Sequence, residues 1–126
     1  LDPMERIRFR NLLAKISKDR IVIFSTHIVE DISGSCNHLA VLKTGRILYT
    51  GTPQSMRDLV RNHVWEAIIP EKTFIRIENE LSLVAHLRTS TGVRTRFLSD
   101  SPPENLKVHS VDPTLEDAYL HLLRNE

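Results

Sequence analysis

The chain has 126 residues, 40% apolar and 26% charged, with 17 basic side chains against 16 acidic ones and a net charge of +1. That balance fits a globular chain of one ordinary domain or two small ones, and the scattered charge leaves no footprint for nucleic acid. No apolar run approaches the length of a membrane span and no segment reads as a signal peptide. The lone Cys36 excludes an internal disulfide, so a reducing cytoplasm is the expected setting.

Asp2-Pro3-Met4-Glu5 reads as a helix start. Asp2 can cap, Pro3 suits the first helical position and Glu5 can complete a capping box. Phe9, Leu12, Leu13 and Ile16 then recur at helical spacing and predict one apolar face. After the polar turn Lys18-Asp19-Arg20, the β-branched run Ile21-Val22-Ile23-Phe24 predicts a strand buried on both faces, as in a covered parallel sheet. Ser25-Thr26-His27 follows at its C-terminal mouth, where open α/β sheets hold ligand chemistry. Ile28 and Ile32 predict a short amphipathic helix ended by Gly34, with Glu30-Asp31 on its solvated face.

Residues 38–43 and 46–50 predict a hairpin around Thr44-Gly45, and Thr52-Pro53 starts a helix striped by Met56, Leu59 and Val60. Beyond that the pattern predicts a strand over 64–69, a helix over 71–80 and a hairpin of 83–88 with 93–99. A Pro102-Pro103 loop and a short strand over 107–111 follow. The last helix is capped at Asp112-Pro113-Thr114, with Leu115, Ala118, Tyr119 and Leu122 inward. The strand at 21–24 has no parallel neighbour in the chain, so its ladder groups and apolar area need cover. A chain folding alone is therefore expected to self-associate or exchange strands, whereas residues 64–126 hold enough elements for a core of their own.

Other chemistries are poorly supported. Ser25 lacks a Gly-x-Ser-x-Gly elbow, the six histidines at 27, 38, 63, 86, 109 and 121 include no i, i+4 pair, and Cys36 has no cysteine companion for a metal. Read alone, His27 is a polar strand end that begins the next helix, and Asp2 is an N-cap. Trp65 reads as core or as a seam between subdomains.

In order, Leu1-Asp2-Pro3, the run Ile21 to His27, Glu30-Asp31, Leu39 to Leu42, Gly45-Arg46-Ile47 and Gly51-Thr52-Pro53 resemble the last part of an ABC-transporter ATPase domain. Val64-Trp65-Glu66, Pro102-Pro103 and Asp112-Pro113-Thr114-Leu115-Glu116-Asp117-Ala118-Tyr119-Leu120 resemble the tail of its export-type subfamily, in which a small domain follows the ATPase. The chain opens at Leu1 and not at a methionine, which fits a fragment. The resemblance implies an α/β fragment over residues 1–63, an incomplete P-loop NTPase-type ATPase core, followed over 64–126 by a small α+β accessory domain.

It implies that His27 is the switch histidine, which donates to the terminal phosphate of ATP, and that Asp2 is the D-loop aspartate, which couples two ATPase subunits. ATP and Mg would serve the parent protein, in a homodimer of ATP-binding subunits that drives a separate membrane permease from the cytoplasmic face, with no insertion of its own into the membrane. The sequence contains no Gly-x-x-x-x-Gly-Lys-Ser/Thr loop, no Leu-Ser-Gly-Gly and no apolar strand ending Asp-Glu. Those parts position phosphates and metal, so these residues alone are expected neither to hydrolyse ATP nor to hold a cofactor. The rival expectation is a free-standing regulatory or dimerisation module, with or without a small ligand, that lacks ATPase activity.

Overall fold

The structure is a computed structural model that describes residues 2–29, 32 and 34–125. Among the described residues the helices and strands run in the order α1 (Pro3–Ile16), β1 (Leu39–Lys43), β2 (Arg46–Gly51), α2 (Pro53–Asp58), β3 (Val64–Ile69), α3 (Glu71–Ile77), β4 (Ser82–Thr89), β5 (Gly92–Leu98), β6 (His109–Ser110) and α4 (Leu115–Arg124). The caps work as their chemistry dictates. Asp2 Oδ1 accepts from the Glu5 amide at 3.0 Å, Thr52 Oγ1 from Ser55 at 3.1 Å, and Thr114 Oγ1 from Asp117 at 3.2 Å. In the β1–β2 hairpin Thr44 and Gly45 both take positive φ, 51° and 76°, as a tight two-residue turn between twisted strands requires.

Two antiparallel sheets result. One is the β1–β2 hairpin, and the other has four strands in the order β4-β5-β3-β6. Helix α3 covers one face of the larger sheet, where Phe74 packs with Ala67, Ile69, Val93 and Phe97. Helix α4 covers part of the opposite face and ties that sheet to the hairpin. Its Leu115 and Ala118 join Leu39 and Val41 of β1, Met56 and Val60 by α2, and Val64 of β3 in a second buried cluster. Leu39, Val41, Met56 and Val60 lie before residue 64 and the other three at or after it, so α4 seals a core that the hairpin cannot close alone. The result is a small α/β protein, compatible with a partial nucleotide-binding fold.

Three expectations need correction. Residues 21–26 form no strand, and Ile21 and Ile23 are 91% and 90% exposed. The reason is the missing neighbour: a single extended segment has nothing to complete its ladder, and β-branched residues alone do not make one. Helix α1 buries only Leu13 of its predicted face, leaving Phe9, Leu12 and Ile16 exposed, because no sheet lies beneath it. The short helix expected around Ile28 and Ile32 falls largely on Glu30, Asp31 and Ser33, which like Leu1 lie outside the described residues; Val29, just before them, is in a 3-10 helical turn. The strand expected over 107–111 shrinks to His109–Ser110, since it pairs only with Trp65 and Glu66.

Candidate functional site

Ser25, Thr26 and His27 lie in one wall of an open groove of about 410 Å³, whose other wall is β1. The wall turns at Thr26, where Thr26 Oγ1 accepts from the Ile28 amide at 3.0 Å and so fixes the direction in which the chain leaves the extended run. All three of these side chains are exposed. Val22, Val29, Ile32 and Met56 make the floor mostly apolar, and Tyr119 of α4 reaches it from the far end.

Cys36 and His38 line the same groove. The Cys36 thiol donates to the Ile32 carbonyl at 3.3 Å. Burial pushes its pKa up, against a smaller downward pull from the backbone at His38, so the thiol stays protonated. A smaller cavity of about 160 Å³ separates α1 from the extended run; Arg6, Arg10, Phe9 and Leu13 face Phe24, Ser25 and Thr26 there. Asp2 lines neither cavity and is engaged in its cap.

These residues can supply hydrogen bonds to a terminal phosphate: one from His27 and two hydroxyls beside it. Among the described residues, the groove wall contains no lysine, arginine or carboxylate, and there is no group of three metal-ligating side chains. The fit to ATP is therefore partial. One end of the phosphate chain finds donors, and none of the described groove residues is a carboxylate that would hold Mg.

A second constellation escapes sequence reading. Arg96 of β5 donates from Nε and Nη2 to both carboxylate oxygens of Asp117, at 2.9 and 2.6 Å, and from Nη1 to Glu66 Oε2 at 2.9 Å. Asp117 is wholly buried and also accepts from the Thr114 amide at 2.7 Å, completing the capping box of α4. The hydrogen bond that Arg96 donates to Asp117, and with it the charges of Asp117 and Glu66, pushes the Arg96 pKa further up. At the other end of α4, Lys43 Nζ of β1 donates to the Leu123 carbonyl at 3.2 Å and Arg124 to Ser82 Oγ at 2.9 Å. This set fixes the helix that carries Tyr119 to the groove. Only Thr114-x-x-Asp117 announces it in the sequence, as a cap; partners 21 and 30 residues away have no local signal.

No family model matches the chain. It is 25% identical over 98% of its length to the uncharacterized ABC transporter ATP-binding protein YxlF of Bacillus subtilis, and covers 46% of that protein. It is 27% identical over its full length to the Nod factor export ATP-binding protein I of Burkholderia lata, covering 44% of it. ABC transporter A family member 11 of Dictyostelium discoideum is 27% identical over 83% of the chain, which covers 13% of that protein. The chain thus spans less than half the length of the curated relatives it matches. With motifs and whole-length likeness pointing the same way, this chain is similar along its whole length to ABC transporter ATP-binding proteins.

Proposed function

We propose that the chain is the C-terminal portion of an ATP-binding subunit that powers export through a separate membrane permease. The observation that carries this reading is the whole-length likeness to exporter ATP-binding proteins, with His27 exposed at a groove mouth between two hydroxyl-bearing neighbours and β1. In this reading His27 donates to the terminal phosphate and senses its loss, and Thr26 sets the turn that presents the imidazole. Asp2 couples the two ATP sites of a homodimer. ATP and Mg belong to the assembled parent, whose phosphate loop and metal ligands come from outside these residues; bound there, the metal neutralises phosphate charge. The described residues contain no helix long and apolar enough to cross a membrane, in keeping with docking on a permease at the cytoplasmic face.

Residues 64–126 act as an accessory domain that regulates or dimerises the subunit, with its own buried cluster beneath α3. Its α4 joins that sheet to the hairpin beside the groove, giving a physical route from accessory domain to ATP site. Reading the coding sequence upstream of Leu1 tests the proposal. An in-frame phosphate loop, Leu-Ser-Gly-Gly and Asp-Glu strand end is the expected result. A start codon beside Leu1 would overturn it in favour of a free-standing module.

A further inference from the structure

We infer that the open face of the four-stranded sheet docks an amphipathic helix of another protein, one that presents a carboxylate between two apolar side chains. The site is a single row across three strands. Leu87 of β4 pairs with Arg94 of β5, which pairs in turn with Ile68 of β3. All three point away from α3, because their neighbours Ala67, Ile69 and Val93 make the opposite, buried face. Direct cross-strand neighbours lie about 5 Å apart, so the three side chains form one continuous surface.

That surface is bare. Ile68 and Leu87 are 53% and 63% exposed, and Ala85 beside them is exposed as well. Arg94 is exposed and has no hydrogen-bond or ion-pair partner among the described residues. The adjacent row on the same face tells what such a surface accepts. There Arg96 and Glu66 receive α4 through Asp117. Two residues along a strand is roughly 7 Å and packed helices lie about 8–10 Å apart, so one further helix fits beside α4.

The chemistry of the row selects the occupant. A guanidinium flanked by two branched aliphatic side chains loses water when covered, and then needs a carboxylate in its fork. A second copy meeting this face about a two-fold axis would set Arg94 near its own equivalent, which like charge opposes. A lipid surface needs a cluster of cations, and the row holds one.

The test uses the isotope-labelled chain and a synthetic helical peptide of about 15 residues with Leu, Glu and Leu on one face, together with a sister peptide in which Lys replaces Glu. The Glu peptide is expected to shift the amide signals of Ile68, Leu87 and Arg94. Arg94→Glu should weaken its binding at least tenfold and should bind the Lys peptide instead; Arg94→Gln, which should weaken the Glu peptide equally, serves if the reversal fails to fold. Absence of shifts at millimolar peptide would overturn the inference. So would binding that survives Arg94→Glu, shifts at these residues with phosphatidylserine vesicles in place of peptide, or dimerisation through this face. None of these outcomes depends on the ATP-binding role of the parent.

Discussion

Arg96 of β5 ties together β3, through Glu66, and α4, through Asp117. It neutralises a carboxylate that is wholly buried, and its removal would leave Asp117 charged and unpaired in the interior. Arg96→Ala should therefore cost about 3–5 kcal/mol, read as a lower midpoint in urea unfolding. Because the folded pKa of Arg96 is raised, its contribution is complete below the ordinary arginine range and is lost only as pH rises through it. Neutral and mildly alkaline conditions should leave the clamp intact. Cys36 follows the same sign in a reachable window. Its raised pKa favours the thiol, so stability linked to it is present below the usual cysteine range and falls as pH climbs through the raised value. Alkylation of Cys36 by iodoacetamide at pH 8 should be slower than that of free cysteine, and equal rates would contradict the burial argument. Asp58 runs the other way. The hydrogen bond from Arg61 lowers its pKa, so its contribution is present at neutral pH and is lost on acidification through that lowered value.

Caps and turns are where sequence and structure agree best, because their signals are local. Thr114 is legible as the start of α4 from three residues, and Thr114→Ala should cost about 1 kcal/mol by freeing the Asp117 amide. Gly92 is legible as a hairpin residue, but its reason is tertiary. Its φ is +147° and an added Cβ would stand 2.7 Å from the Ile69 carbonyl oxygen. Gly92→Ala should destabilise by more than about 1 kcal/mol, and an unchanged thermal midpoint would contradict that geometry. The run at 21–24 marks the limit of local reading. Val and Ile specify a strand only where another strand supplies the ladder, and α1 buries a face only where a sheet lies under it. Arg96, Asp117 and Glu66 mark a second limit, since charged residues far apart in sequence give no periodicity to read.

At the scale of the molecule, α4 joins the parts: it seals the hairpin core, anchors in the larger sheet, and brings Tyr119 to the groove of His27. Ile21, Ile23 and the outer side of α1 stay uncovered. The isolated chain should therefore show concentration-dependent mass in sedimentation velocity, and Ile21→Lys with Ile23→Lys should shift it towards monomer; a monomer at every concentration would contradict this. How His27 sits was only partly legible. Its place after an apolar run is in the sequence, but the groove depends on β1 and α4, which come later in the chain. The most direct test of the central claim is ATP turnover by a protein in which this chain follows a phosphate loop and signature segment, compared with its His27→Ala variant. Loss of one phosphate donor should lower turnover about 10²-fold or more while ATP binding persists. Undiminished turnover would contradict the role given to His27.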